Sequence, residues 1–507
     1  MSMHPAPILR TLERHPRRAS RLSSCFLHLR PACAGRPYSS QPQANSEPPR
    51  VQEDTRSRPI KRVPASPTPS SIEIRSKSYT IDSAWYNLTP TVLEATSRQL
   101  HLQRHHPLSI TRNIIEQHFP APRFTHYNNL TPVVSTQQNF DSLCFKSDHP
   151  GRQRSDTYYL NQTTLLRTHT SAHQLDTFCN NKSDGYLITA DVYRRDEIDR
   201  SHYPVFHQVE GALTWDRDKL PNADVAKAAM QDLKNIMVPD VIIQDENPPF
   251  HAERNPAQLR HHTQAQVEAM GQHLKRSLEK MVVDIIMRAR KAAHGAEDKH
   301  QEVRVRWVEA YFPFTTPSWE LELFYDGDWH EVLGCGIIHQ QILIDARVPS
   351  RIGWAFGIGL ERIAMMLFDI PDIRLFWSKD ERFLSQFESL SSSLDVLPRF
   401  VPFSKHPPCP KDVSFWLPRA ETVEEGDAMG QSQWNDNDVM DLVRNVAGDV
   451  VEDVKLMDVW TSSKGEQSKM FRIIYRSLER TLTNEETNNY HENVRRALVE
   501  ELGVKLR

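Results

Sequence analysis

Two adjacent arginines open the stretch VYRRDEIDRSHYPVFHQVEG, residues 192–211, followed by acids, two histidines and a run of aromatics. Arg194 and Arg195 carry permanent charge on planar forks that match phosphate oxygens bidentately, and Asp196 beside them can orient or neutralise one of the pair. Alone, such a cluster is better read as a solvated salt-bridge network, so its chemistry depends on what the rest of the chain brings. A second segment, GWAFGIGLERIAMMLF, residues 353–368, reads as a strand, a glycine turn and a helix whose Leu360, Ile363, Ala364 and Leu367 face a core. Arg362 then falls in the first helical turn, where a cation opposes the helix dipole unless an anion is held between it and the helix end. Gly357 and Gly359 let a flat ligand approach the backbone. Together the two arginine-bearing segments have the chemistry of a polyphosphate site.

Two further segments bring neutral and aromatic groups. RTHTSAHQ, residues 167–174, offers Thr170 or Ser171 as a helix N-cap with His173 and Gln174 polar in the first turn, and capping accounts for it by itself. YFPFTTPSWELELFYDGDWHEVLGCG, residues 311–336, sets Phe312 and Phe314 around a proline and then alternates acids with apolar residues along a strand. Core packing and a pocket wall both explain those phenylalanines.

These groups need a scaffold, and the periodicities supply one. Thr89 and Pro90 read as an N-cap and first helical residue, with Val92, Leu93, Leu100 and Leu102 available for packing. HPLSITRNIIEQHF, residues 106–119, reads as a helix starting at Pro107 with Ile110, Ile114 and Phe119 inward. Residues 187–193 and 205–215 read as antiparallel strands. Between Trp215 and about His300, Val267, Met270, Leu274, Leu278, Met281 and Ile285 recur at helical spacing, with Gly295 as the expected stop. Strand patterns return over 303–324 and 331–344. From about Leu397 the order changes to strand (411–418), helix (435–448), two strands (450–460 and 468–478), a helix with a Thr483/Glu486 capping box, and a last strand at 504–507. That β-α-β-β-α-β order is ferredoxin-like.

With 507 residues, 38% of them hydrophobic, the chain exceeds one ordinary core, and at least two domains are expected. No apolar run approaches the ~20 residues of a membrane-spanning helix. A net charge of -3 excludes a global basic bias, so any polyanion must be met by local patches. The six cysteines, at 25, 33, 144, 179, 335 and 409, show no CxxC pair and fit a reducing compartment without a structural metal. Residues 1–40 carry Arg10, Arg14, Arg17, Arg18, Arg21, Arg30 and Arg36 with Glu13 as their only acid, the composition of a mitochondrial transit peptide, although a basic arm touching nucleic acid has a similar composition. Residues 41–77, rich in Pro, Ser and Arg, read as a disordered linker.

In combination, HTSAHQ, the FHQVEG ending and AFGIGLER resemble the class II aminoacyl-tRNA synthetases, and among them the single-chain phenylalanyl group, over Tyr79 to Arg507. Segment 106–119 is similar to that family's motif 1, 192–211 to motif 2 and 353–368 to motif 3. The resemblance implies an α+β fold: a class II antiparallel sheet flanked by helices over 78–390, with a helical insertion at about 216–300, and a ferredoxin-like anticodon-binding domain over 397–507. It implies that phenylalanine attacks the α-phosphate of ATP and that the resulting adenylate acylates the 3′-terminal ribose of tRNA(Phe), with Mg²⁺ on the triphosphate but no ligand set identified for it. In that scheme Arg194 holds the α-phosphate and Arg362 the γ-phosphate end. Ser171, Ala172, His173 and Gln174 line the amino-acid site, and Gln208, Val209 and Glu210 form its strand, with Gln208 and Glu210 receiving the ammonium group. Ser201, His202 and Tyr203 lie over ATP. Phe312 and Phe314 flank the substrate ring, and Glu331 and Phe356 complete the site. Arg472, Arg476 and Arg480 are the tRNA candidates, with Trp460 or Phe471 as a stacking residue. Tyrosine is the expected error, because an apolar pocket discriminates weakly against an added hydroxyl. The remaining expectations are a monomer, no membrane association and the mitochondrial matrix. A catalytically silent tRNA-binding paralogue and a class II enzyme for another amino acid are the alternatives.

Overall fold

Along residues 205–210 the side chains alternate between a fully buried row, Val205, His207 and Val209, and a second row, Phe206, Gln208 and Glu210. That period of two makes the segment a strand with two different faces. In the computed structural model, which describes residues 70–294, 302–325, 327–388, 397–403, 406–418, 434–463 and 465–507, it lies inside an eight-stranded sheet. The strand order is Phe124–Tyr127, Gly185–Tyr193, Val205–Asp216, Arg351–Gly359, Asp328–Ile338, Thr315–Tyr325, Arg304–Phe312, Ile242–Gln244. Pairing is antiparallel throughout except at the two edges, where Phe124–Tyr127 and Ile242–Gln244 each run parallel to their neighbour.

One face is sealed by helices. Val209, Ile358, Leu333 and Leu321 are in register across four central strands and join a core with Ile114 of helix Pro107–Glu116, Leu274 and Leu278 of helix Gln264–His294, and Ile363 of helix Leu360–Phe368. The helical spacing at 267–285 is borne out, with all six apolar residues fully buried. Their burial at roughly 1.5–3 kcal/mol each makes this helix a core element of the unit that carries the large sheet. Its expected terminator, Gly295, lies outside the described residues, as does the transit-peptide segment 1–40.

Three expectations are corrected. The linker reading fails for residues 71–77: Ser71–Ile74 pairs with Lys77–Thr80 through a tight turn at Arg75 and Ser76 with φ of 48° and 60°. Ile74 is buried in the core, and that burial ties the segment down. The strand expected to Ile344 stops at Ile338, and Gln340–Asp345 is a short helix buried through Ile342 and Leu343. Leu102 is exposed.

The C-terminal unit follows the expected order closely: strand Cys409–Trp416, helix Asp436–Ala447, strands Val451–Thr461 and Gln467–Tyr475, helix Asn484–Leu502, strand Lys505–Leu506. Thr483 and Glu486 form the reciprocal capping box, and Gly503 ends the helix in the left-handed conformation at φ 65°. The four strands form one antiparallel sheet over a core of Val413, Phe415, Phe471, Ile473, Val494 and Leu498.

Candidate active site

The open face of the large sheet is built from the complementary register. Glu210 pairs with Gly357, which pairs with Gly334, which pairs with Glu320, and Gln208 pairs with Gly359. Paired residues project to the same side, so two carboxylates and three glycines share a concave floor. A Cβ added at Gly357 or Gly359 would meet nothing within 4 Å, which leaves the backbone there open. Gly334 is covered: its Cβ would lie 2.6 Å from Cζ of Phe312. Phe312 stacks on Phe314 at 6.0 Å and 14°, and Phe314 continues to His169 and Phe145, themselves stacked at 5.6 Å. Burial, with Arg194 nearby, pushes the His169 imidazole down to about 3, so this ring is neutral and apolar in effect. Ile188, Ala190, Ala212 and Ala355 complete an apolar patch beside this aromatic wall.

Glu210 sits at the end of that patch, only 2% exposed. Its carboxylate accepts from Ser171 Oγ, from Tyr186 Oη at 2.8 Å, and from Thr170 Oγ1 and Gln174 Nε2 at 3.3 Å each. All four donors are neutral, no cation pairs with Glu210 among the described residues, and burial raises its pKa. A buried carboxylate with hydrogen bonds but no counter-charge is poised for a cation. Next to it Gln208 Oε1 accepts from the Thr170 amide at 3.3 Å.

Arg194 leaves the end of strand Gly185–Tyr193, donates from Nε to Thr168 O at 2.8 Å and lies 5.2 Å from the Phe206 ring centroid. No carboxylate pairs with it among the described residues, and burial lowers its pKa. Arg362 stands in the first turn of helix Leu360–Phe368, exposed, with Nη1 on Glu331 O at 2.7 Å. The preceding Glu361 turns into the core, where it accepts from the His207 amide at 2.8 Å and from His207 Nδ1 at 2.6 Å. That link fixes the motif 3 helix to the motif 2 strand. Near Arg362, burial together with Glu331 and Glu322 pushes Glu320 up to about 7, and among the described residues no group of three or more potential ligands stands together to hold a metal ion. In the 200s loop, Ser201 and His202 both bond Asp199, His202 through Nδ1 at 2.7 Å.

Several nominated residues point elsewhere. Arg195 pairs with Asp438 at 2.7 Å and Asp441 of the C-terminal unit, so only Arg194 of the two arginines reaches the floor. Tyr203 is buried, stacked on Trp377 at 5.2 Å, with its hydroxyl on Asp449 at 3.1 Å. Val209 and Phe356 lie on the helix-covered face, Phe356 stacked on Phe119 at 5.2 Å. Adjacent strand residues alternate, so Phe356 cannot share a face with Gly357. Ala172 packs against Val134, Phe140, Tyr159 and Leu165, away from the open face, and His173 accepts from Arg167 Nη1 at 2.9 Å. Neither Thr170 nor Ser171 caps a helix, because Glu210 takes both hydroxyls. Phe471 is fully buried, and Arg472, Arg476 and Arg480 are held by Asp412, Glu452 and Glu486. Thr170, Tyr186, His169 and Phe206 were not foreseen. Strand alternation from Glu210 signals Phe206, while Tyr186 is visible only through pairing.

Comparison with known proteins gives two family matches: the class II core domain (F) of tRNA synthetases over residues 91–242 and 253–387, and the ferredoxin-fold anticodon binding domain over 404–507. The chain is 44% identical over 462 residues to the mitochondrial phenylalanine-tRNA ligase of Saccharomyces cerevisiae, covering 86% of this chain and 95% of that protein. It is 41% identical over 445 residues to the mitochondrial phenylalanine-tRNA ligase of Mus musculus, covering 86% and 89%.

Proposed function

The chain belongs to the mitochondrial phenylalanine-tRNA ligase family of class II synthetases, and from that premise we propose how its open sheet face performs the reaction. It is a phenylalanine-tRNA ligase that uses ATP to join phenylalanine to tRNA. The observation that carries the site assignment is Glu210, a buried carboxylate with four neutral donors and, among the described residues, no cation. An α-ammonium group supplies the missing charge, and Gln208 stands within reach as a second acceptor. The phenyl ring then extends over Ala355 toward the Phe312 and Phe314 stack.

This places the substrate carboxylate toward Arg194. Arg194, which no carboxylate pairs among the described residues, receives the α-phosphate, and its contact with Phe206 holds the fork in place. Adenine takes the open backbone over Gly357 and Gly359, and Arg362 receives the far end of the triphosphate. Ser201 and His202 border the nucleotide from the loop. Attack of carboxylate on phosphorus needs no enzyme nucleophile. The contribution of these residues is positioning and fixed positive charge where the transition state gains negative charge. Glu320 and Glu331 would hold Mg²⁺, which when bound neutralises phosphate charge. The C-terminal unit binds the anticodon arm, the active form is a monomer, and the site of action is the mitochondrial matrix, consistent with the arginine-rich first 40 residues. Charging of a tRNA(Phe) transcript with labelled phenylalanine tests the assignment: ester-linked, base-labile label is expected. Label on a non-cognate tRNA with none on tRNA(Phe) overturns it.

A further inference from the structure

The hairpin formed by Ser71–Ile74 and Lys77–Thr80 precedes the matched class II core, which begins at residue 91. Ile74 and Ile81 bury it in the main core, so its anchoring does not depend on the turn. That turn is built from Arg75 and Ser76 at φ of 48° and 60°, a conformation that glycine or asparagine adopts with least strain. An arginine in such a position points to a role for its side chain. Arg75 turns inward, its side chain 16% exposed, and ties three segments together. Nε donates to Thr96 O at 2.7 Å, Nη1 to Leu130 O at 3.0 Å, and Nη2 to both carboxylate oxygens of Asp191 at 2.9 and 2.7 Å. Asp191 lies on strand Gly185–Tyr193, and its Oδ1 also accepts from Arg167 Nη2 at 2.8 Å. Arg167 is fully buried, and its Nη1 reaches Leu130 O at 3.2 Å, Thr131 O at 2.6 Å and His173 Nε2 at 2.9 Å. Burial and Arg167 hold the His173 imidazole down to about 3, so the ring is neutral and Nε2 accepts. His173 closes the 3₁₀ turn Thr170–His173, whose Thr170 and Ser171 hydroxyls donate to Glu210.

We propose that Arg75 is a positioning residue for phenylalanine: by filling Asp191 and Leu130 O it leaves Arg167 to hold His173, and so sets the two hydroxyls that orient the Glu210 carboxylate toward the substrate ammonium. The inference rests on the reading in which Glu210 receives that ammonium. The two guanidiniums share two acceptors, Asp191 Oδ1 and Leu130 O. Without Arg75 these acceptors fall to Arg167 alone, because a buried oxygen left without a donor is costly, and Nη1 is drawn off His173. The turn then loses the bond that fixes its end. The ATP contacts at Gly357, Gly359 and Arg362 sit on strand Arg351–Gly359 and helix Leu360–Phe368, outside this path. Lysine does not replace the fork, since a single ammonium cannot serve Thr96, Leu130 and both Asp191 oxygens together.

The test uses the full chain with Arg75→Gly and Arg75→Lys, read by pyrophosphate exchange and thermal melting. Glycine suits the left-handed φ, so the turn itself is put under no new strain. Arg75→Gly is expected to raise the KM for phenylalanine about 10- to 100-fold, the effect of a misplacement set up away from the chemistry. The KM for ATP should stay within about threefold of wild type. Arg75→Lys should fall between wild type and Arg75→Gly. Guanidinium chloride, added well below unfolding concentrations, should return the KM for phenylalanine of Arg75→Gly toward wild type by refilling the vacated place, while sodium chloride at equal ionic strength should not. Loss of folded enzyme lowers kcat and leaves both KM values in place, so the split between the two substrates separates positioning from stability. An unchanged KM for phenylalanine in Arg75→Gly overturns the proposal, whether or not the melting temperature falls. Equal rises in both KM values without rescue by guanidinium overturn it too. An unchanged KM for phenylalanine in Glu210→Gln removes the underlying reading instead.

Discussion

Replacing Glu210 by glutamine keeps the shape of the site and removes the one charge on which the ammonium assignment depends. Glu210 is buried, its hydrogen bonds come only from neutral groups, and among the described residues no cation pairs with it, so on the proposed pose it is the anion the ammonium is taken to meet. Breaking a buried charge pair by neutralising one partner costs about 3–5 kcal/mol, which is about 150- to 5,000-fold in kcat/KM for phenylalanine. The fold should not suffer. Burial raises the pKa of Glu210, so its carboxylate costs stability as pH rises through the folded-state value, and the amide relieves that cost. The expected result is therefore a melting temperature at least equal to the wild type at pH 7, an unchanged KM for ATP, and a large rise in the KM for phenylalanine in pyrophosphate exchange. 3-Phenylpropionate, which lacks the amine, should inhibit wild type and Glu210→Gln about equally. A KM for phenylalanine within about threefold of wild type would refute the reasoning, since that change corresponds to under about 0.7 kcal/mol.

Arg194→Ala should lower exchange by about a hundred- to a thousand-fold, the effect of removing a fixed donor to developing charge, whereas Arg195→Ala should spare exchange and lower the melting temperature, because buried Asp441 would lose its shortest charged partner and keep only the Tyr158 hydroxyl at 2.9 Å and Arg444 at 3.6 Å. Gly357→Ala should fold normally, since its Cβ meets nothing within 4 Å, yet raise the KM for ATP by occupying the open floor; unchanged ATP kinetics would count against the adenine position. The hydrogen bond to Asp199 raises the His202 pKa, and, although burial opposes it, the bonds from His202 and Ser201 hold Asp199 at about 2. The pair is thus intact between the acid limb at about 2 and the raised imidazole value, and its stabilisation is lost as pH rises through the latter. An imidazole titration followed by NMR should show a midpoint above 6.5 that falls in Asp199→Asn.

The backbone elements were legible because their signals are local: helical spacing over 267–285, the Thr483/Glu486 box, and alternation along 205–215. So were the site residues whose direction follows from alternation, Gln208 and Glu210. The same rule, applied from Glu210 to Val209 and from Gly357 to Phe356, excludes both from the floor, and it was available in the sequence. What the sequence withheld depends on distant partners. Arg195 looks identical to Arg194 until Asp438 and Asp441, more than 240 positions away, take it. Tyr203 is claimed by Trp377 and Asp449 in the same way. His173 and Ala172 turn away because Thr170–His173 is a short 3₁₀ turn, with three residues per turn, a local winding that capping logic does not anticipate. Arg75, in a segment read as linker, forks onto Asp191 and helps Arg167 hold its carboxyl low against burial, which secures the strand that presents Arg194.

The most direct test of the central claim is pyrophosphate exchange by the purified chain with each of the twenty amino acids in turn, alongside Arg362→Ala. The account predicts strong exchange with phenylalanine, weak exchange with tyrosine, none above background with the others, and abolition in the variant. Exchange with no amino acid, or with another in preference to phenylalanine, would contradict it.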